Sequence, residues 1–281
     1  MGSQLRQQME EHMMLRNYSE RTIGSYVDSV VGLVKHYGVS PERITDPMIQ
    51  EYLVYRKREQ RVSWNTNHLA MYGIRYLYKE ILGREFTPYM PPGRKKHRRL
   101  PTALSREEVQ ALFSATRNLK HRTVLMTLYG TGMRSCELTR LKSPHIESKR
   151  GLIRIERGKG QKDRYTLLPE TLLRQLRLYY AAFLPEPWLF PGRDPNKPMT
   201  VRTVEGIYRL AKERAGITHG HGPHTLRHSF ATHAIEDTGD LVAVKQLLGH
   251  GALSTTTQYV HVSHRHIATI KSPLDTLYDK E

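Results

Sequence analysis

The sequence predicts an α+β fold that is mainly α-helical with one small β-hairpin, arranged as a helical N-terminal domain followed by a larger C-terminal domain. Three observations predict it. Helix-length segments closed by glycine fill most of the 281 residues. A proline-rich, basic break interrupts them at residues 88–101, and the stretch Leu152–Leu168 is patterned for two strands and a turn. With 38% hydrophobic and 25% charged residues, the composition suits a buried core and not a disordered chain.

Residues 1–87 read as helices with clear punctuation. Asp46-Pro47 reads as an N-cap followed by proline at the first helical position, opening a segment that sets Ile49, Tyr52 and Leu53 on one side. Gly38 and Gly83 stop two further stretches. The surface letters are largely Arg, Lys, Gln, Asn and Tyr, so a small helical bundle with a basic face is expected.

The break over 88–101 follows. Thr87-Pro88-Tyr89-Met90-Pro91-Pro92-Gly93 cannot continue a helix, and Arg94, Lys95, Lys96, His97, Arg98 and Arg99 add a block of positive charge. Such a block is either a solvated linker or a strap across a DNA backbone, and both readings stand at this point.

The second domain, 102–281, opens with a capping box, Ser105 with Glu108 three residues on. Leu152-Ile153-Arg154-Ile155-Glu156-Arg157 alternates in part, and its isoleucine pair favours a strand. The chain turns at Gly158-Lys159-Gly160 and returns through Tyr165-Thr166-Leu167-Leu168. The remainder is patterned mostly for helices, with stops at Gly130, Gly216, Gly239 and Gly249.

Charge gives the first functional clue. Forty-four Lys+Arg against 27 Asp+Glu leave a formal net charge of +17, a field that attracts polyanions, of which nucleic acid is the commonest large one; the plain alternative is a basic chain whose charge serves only solubility. The single cysteine, Cys136, excludes an internal disulfide and a cysteine-rich zinc site. No apolar run approaches the ~20 residues of a membrane span, and Met1-Gly2-Ser3-Gln4-Leu5-Arg6 lacks the apolar stretch of a secretory signal. The expectation is a soluble, cytoplasmic, nucleoid-associated chain of prokaryotic type with no membrane partner.

Four segments hold the residues with chemistry. In His224-Thr225-Leu226-Arg227-His228-Ser229-Phe230, helical spacing sets Leu226 and Phe230 on one face and His224, Arg227 and His228 on the other. The plain reading is a surface helix carrying scattered bases. A zinc reading also exists, because His224 and His228 have ligand spacing and His219, His221 and His233 lie nearby; an arginine between the two histidines would repel the cation.

In Gly130-Thr131-Gly132-Met133-Arg134-Ser135-Cys136-Glu137-Leu138, the glycines allow a tight turn into a short helix that presents Arg134, with Glu137 one turn on to hold the guanidinium. At the hairpin tip, Gly158-Lys159-Gly160-Gln161-Lys162-Asp163-Arg164 is either an ordinary charged turn or a lysine that enters a groove. It lacks the spacing of a nucleotide-binding P-loop. Lastly, Leu247-Leu248-Gly249-His250 precedes Thr255-Thr256-Thr257-Gln258-Tyr259-Val260-His261, where a lone tyrosine is most simply a packing residue.

In this order and at these gaps, the segments together resemble the catalytic domain of the tyrosine recombinase (phage integrase) family, closest to its Xer-like and integron-type branches. The resemblance runs from about Leu104 to Val262, and the helical N-terminal part is similar to that family's SAM-like core-binding domain. It implies that Arg134 and Arg227 clamp a phosphate and that Lys159 is the hairpin lysine. By the same resemblance His224 opens the H-x-x-R motif, His250 closes L-L-G-H, Tyr259 is the nucleophile, and Glu137 supports the first arginine. Lys162 and Arg164, with Arg94, Lys95, Lys96, Arg98 and Arg99, are expected as DNA contacts. Cys136 and the histidine-rich lead-in at His219 and His221 depart from the family pattern in a minor way, and the region after Tyr259 is less family-like.

The chemistry implied is site-specific cleavage and rejoining of DNA through a 3′-phosphotyrosyl intermediate, serving integration, excision or resolution of DNA such as a mobile element. Arginine forks neutralise the non-bridging oxygens, Tyr259 attacks phosphorus, His224 accepts or orients its proton, and Lys159 protonates the leaving 5′-oxygen. No cofactor and no metal are expected. A homo-tetramer on paired recombination sites, joined by accessory DNA-bending proteins, is the assembly the resemblance implies. The rivals are a type IB topoisomerase-like relaxation of one duplex, a non-catalytic DNA-binding regulator, and a zinc-dependent nuclease.

Overall fold

The computed structural model describes residues 2–88, 102–156 and 163–249. The chain forms two compact units, Met1–His97 and Arg98–Glu281.

The first unit is a bundle of α1 (Ser3–Leu15), α2 (Glu20–Tyr37), α3 (Asp46–Arg58) and α4 (Trp64–Tyr76), the last running on through a π-helical turn at Leu77–Ile81. Ser19 and Ser63 cap α2 and α4, their hydroxyls accepting from the amides of Thr22 (3.2 Å) and Thr66 (3.1 Å). Met9, Val30, Leu33, Ile49 and Ile74 are fully buried in the centre of the bundle, each contributing about 1.5–3 kcal/mol by leaving water. Gly38 and Gly83 have positive φ, as the expected stops require.

The start of α3 differs by one residue from the sequence reading. Thr45 is the N-cap, Asp46 the first helical residue and Pro47 the second. Asp46 does not cap because its carboxylate is spent elsewhere. It accepts from Arg84 Nη2 (2.7 Å), from the Thr87 amide (3.0 Å) and from the Thr87 hydroxyl, which fastens residues 84–87 to α3.

The second unit surrounds α6 (Leu119–Thr131), which packs against α5 (Arg106–Ser114), α8 (Glu170–Phe183), α9 (Val201–Arg214) and α10 (His224–Thr238). The one-turn helix α7 (Ser135–Leu138) follows α6, and α11 (Leu241–Leu248) packs on α10. The Ser105–Glu108 capping box forms as expected. The hairpin pairs β2 (Leu152–Ile155) with β3 (Arg164–Leu167), Ile153 opposite Thr166 and Ile155 opposite Arg164. Ile153 and Ile155 enter the core while their neighbours stay partly exposed, the alternation of a one-sided sheet. A third strand, β1 (Ile146–Glu147), pairs with β2; two residues are too few to show an alternation in sequence.

Gly130 is not a stop. It is helical within α6, and the left-handed cap falls two residues later at Gly132. The other expected stops carry positive φ at Gly216, Gly239 and Gly249. Helix α10 also departs from the two-faced reading. It is buried on nearly every side, from Thr225, Leu226 and Arg227 to Ser229, Phe230 and Ile235, because α5, α6 and α11 enclose it. No helix among the described residues is long and apolar enough to cross a membrane.

Candidate active site

The site begins where α6 stops. Gly132 adopts φ 61°, and a Cβ there would lie 2.8 Å from Phe230 Cε1 and 2.9 Å from Leu248 Cδ2. Both the left-handed backbone and the close approach of α10 and α11 thus demand glycine. The chain then swings into α7, and Glu137 folds back. Its carboxylate accepts from the Arg134 amide (2.8 Å) and from Arg134 Nη1 (2.9 Å). Among the described residues, Nη1 is the one nitrogen of that guanidinium that meets an acceptor, which leaves Nε and Nη2 to meet an anion. Arg134 retains 21% of its side-chain exposure and Glu137 only 4%, so the cation opens outward from a buried carboxylate.

Arg164 enters the same cluster from β3. Its Nη1 and Nη2 lie 2.7 and 2.9 Å from the two oxygens of Glu137, and its Nε donates to the Leu247 carbonyl at 3.3 Å. All three guanidinium nitrogens of Arg164, expected from sequence as a DNA contact, are engaged within the protein, and the side chain is 13% exposed. Gly249 makes room for it, since a Cβ at that position, where φ is 64°, would lie 2.8 Å from Arg164 Cδ. Glu137 therefore receives four hydrogen bonds, the capacity of a carboxylate. Burial alone would raise its pKa, but the hydrogen bonds and charge of Arg164, then those of Arg134, bring it down to about 2.

Helix α10 supplies the third arm. Arg227 is 4% exposed, with Nη1 donating to the Gly132 carbonyl at 2.6 Å and Nη2 to the Leu248 carbonyl at 2.7 Å. Those carbonyls end α6 and α11, where helix dipoles carry negative charge. The guanidinium is thus seated at the junction of three sequence motifs and not displayed on a helix surface.

His224 stands exposed at the first turn of α10, while His228, one turn on, is partly buried. Partial desolvation of its ring by the surrounding protein, then the positive charges of Arg227 and Arg134, lower the pKa of His224 against the opposing pull of Glu137 and Glu205. Burial, then His224 and Arg227, push His228 down to about 4. The lowered pKa favours the neutral form of both imidazoles, and a neutral imidazole at the rim can accept a proton.

The structure therefore brings Arg134, Glu137, Arg164, His224 and Arg227 together. Lys159, Lys162, His250 and Tyr259, with the linker cations Arg94, Lys95, Lys96, Arg98 and Arg99, lie outside the described residues. What sequence reasoning missed is that Arg164 faces Glu137 and that main-chain carbonyls seat Arg227. The former had a faint signal in the pleat, since Arg164 and the buried Thr166 share a strand face. Among the described residues no three His, Cys, Asp or Glu side chains converge as a metal ion would require. His219 instead lies 2.8 Å from Glu108, and His233 lies 2.9 Å from the Tyr129 hydroxyl.

Comparison with known proteins gives the family and the fold. Residues 102–266 match the phage integrase family, and residues 5–87 match the phage integrase N-terminal SAM-like domain. A Sinorhizobium fredii protein named as an integrase/recombinase is 36% identical over 97% of this chain and 89% of its own length. The crystal structure of the XerA recombinase superposes with a TM-score of 0.56 at 28% identity, covering 95% of this chain and 97% of that one. A lambda integrase tetramer bound to a Holliday junction has the same fold, with a TM-score of 0.71 at 18% identity over 91% of this chain and 76% of that one.

Proposed function

The chain belongs to the phage integrase family, in its Xer-like branch, and is a site-specific DNA-recombining enzyme; on that premise we propose that Tyr259 is its nucleophile and that Arg134 and Arg227 hold the phosphate it attacks. The observation that carries this reading is the convergence of the two arginines, from segments 93 positions apart by number (134 and 227), around one buried carboxylate and two helix ends.

A phosphodiester is anionic and repels an anionic nucleophile, so its non-bridging oxygens must be neutralised first. Arg134 offers Nε and Nη2 at the rim, and Arg227 adds positive charge from a rigid seat beneath. His224, neutral and exposed, accepts or orients the phenolic proton as Tyr259 attacks phosphorus. Lys159, which the chain order sets between β2 and β3, protonates the 5′-oxygen as it leaves. His250, next after Gly249, adds a hydrogen bond to a non-bridging oxygen. The product is a 3′-phosphotyrosyl ester and a free 5′-hydroxyl. That ester keeps the energy of the broken bond, so a 5′-hydroxyl from another duplex can reseal the strand without ATP.

The proposed division of labour gives residues 1–87 core binding of DNA, 88–101 a basic linker and 102–281 catalysis. Two duplexes must each be cut on both strands, and four protomers on paired sites meet that count. The proposal includes a cytoplasmic setting and action on mobile DNA by integration, excision or resolution. The test is incubation with nicked suicide duplexes, tiled across DNA selected for binding from random sequence, followed by mapping of the covalent adduct. An adduct on Tyr259 supports the reading; an adduct on another residue overturns it.

A further inference from the structure

Resting on the recombinase reading above, we infer that Arg164 is a positioning residue for the phosphate-holding Arg134, acting through the Glu137 carboxylate that they share. The arrangement carries the logic. A carboxylate facing a single arginine takes it as a fork, with two parallel bonds that satisfy both partners and leave the cation electrically spent. Here Arg164 takes the fork, at 2.7 and 2.9 Å, and Arg134 is left with one side-chain bond to Glu137 at 2.9 Å. Two guanidinium charges against one carboxylate leave the cluster with a net positive charge, and the more exposed of the two cations, Arg134, is the one that faces outward.

Arg164 also fixes where the cluster sits. Its Nε holds the Leu247 carbonyl, and Gly249 gives its stem the space it fills. One side chain on the return strand of the hairpin therefore ties that strand to Glu137 and to the segment leading into His250. A DNA contact needs none of these bonds, and a purely structural ion pair does not need the second arginine.

Without Arg164, Glu137 regains two unsatisfied lone pairs and a full negative charge beside Arg134. The Arg134 guanidinium then turns back to form the fork itself, and its remaining donors no longer point at a phosphate. Removing the charge of Glu137 as well removes the pull.

The experiment compares the full-length chain, Arg164→Met, Arg164→Lys, Glu137→Gln and the Arg164→Met/Glu137→Gln double variant on the tiled suicide duplexes. DNA affinity, single-turnover adduct formation at saturating DNA, and thermal melting are each measured. Arg164→Met is expected to bind within about twofold of the unaltered chain and to form adduct ~10²-fold more slowly, the size of effect that a small misplacement of a reacting group produces. The double variant should recover about tenfold of that loss, and Arg164→Lys should fall between. Weakened binding with an unchanged rate at saturation would make Arg164 a DNA contact and overturn the inference. Single losses that simply multiply in the double variant would overturn it too. If Arg164→Met melts early, Arg164→Lys decides: a stable Lys variant that reacts at the unaltered rate sinks the idea. No adduct from the unaltered chain, or one away from Tyr259, would instead overturn the assignment of Tyr259.

Discussion

Arg227 reaches across 95 residues of sequence to the carbonyl of Gly132, at 2.6 Å, and its other terminal nitrogen holds the carbonyl of Leu248 at 2.7 Å. A residue assigned to phosphate binding is thereby also part of the interior. Its removal should act on stability as well as on chemistry, which separates it from Arg134.

Arg227→Ala is expected to abolish adduct formation and to lower stability, because two buried acceptors lose their donor at roughly 1–3 kcal/mol each. Arg134→Ala should abolish adduct formation with a much smaller change in melting, since that side chain is partly exposed and holds one side-chain bond. Denaturant titration of the two variants beside the unaltered chain checks this. Equal losses of stability would mean that the carbonyl bonds of Arg227 contribute nothing net.

Tyr259→Phe should keep DNA affinity within about twofold and lose cleavage entirely, because the change removes one oxygen and little shape. Gel shift and adduct capture on the same duplex measure both. A covalent product persisting in this variant would relocate the nucleophile.

The burial of His228 makes stability depend on pH in a stated window. Its pKa is about 4 in the folded chain against an ordinary value of 6.5, so the unfolded chain binds the proton more tightly. The contribution of this imidazole is therefore undiminished above pH 6.5, falls as pH drops through the window, and levels off below about 4. Melting temperature should decline less between pH 7 and pH 5 in His228→Gln than in the unaltered chain. Parallel declines would show that this imidazole titrates alike in both states.

Binding should weaken steeply with salt. If a protomer neutralises roughly six to ten phosphates, affinity falls ~10³–10⁵-fold between 50 and 200 mM salt. Replacing Arg94, Lys95, Lys96, Arg98 and Arg99 with serine should flatten the slope if the linker straps DNA, and an unchanged slope would leave it a connector.

Sulfur at the 5′-bridging position separates Lys159 from the arginines. A thiolate, whose conjugate acid has a pKa near ~8.5, departs without a proton, whereas an alkoxide does not. Such a substrate should restore cleavage to Lys159→Ala and do far less for Arg134→Ala or Arg227→Ala, whose proposed partners are the non-bridging oxygens. Equal rescue of all three variants would remove Lys159 from the role of general acid.

Much of this architecture was legible in the residues. The capping box at Ser105, the hairpin around Lys159 and the hold of Glu137 on Arg134 each depend on partners a few positions apart, where spacing decides contact. The misreadings share the opposite cause. Whether Arg227 is displayed or buried depends on α5, α6 and α11 closing over α10, and no local pattern records that closure. The same holds for Asp46, drawn off its capping role by Arg84 and Thr87, about forty residues ahead. The internal partners of Arg164 were equally illegible, because a basic residue near a hairpin tip looks alike whether it faces outward or inward. Only the approach of Glu137 and Leu247 decides it.

The acceptors that seat Arg164 and Arg227 have a consequence for how this chain can vary. Three of them, at Gly132, Leu247 and Leu248, belong to the main chain. A carbonyl is present whatever side chain stands on its residue, so exchanging Leu247 for another apolar residue leaves the bond to Arg164 intact. Tolerance is thereby distributed unevenly. The donors Arg164 and Arg227 have no substitute of the same reach and fork, and Gly132 and Gly249 have no neighbour-compatible replacement. Random mutagenesis under selection for recombination should accordingly return variants at 247 long before any at 132, 164, 227 or 249.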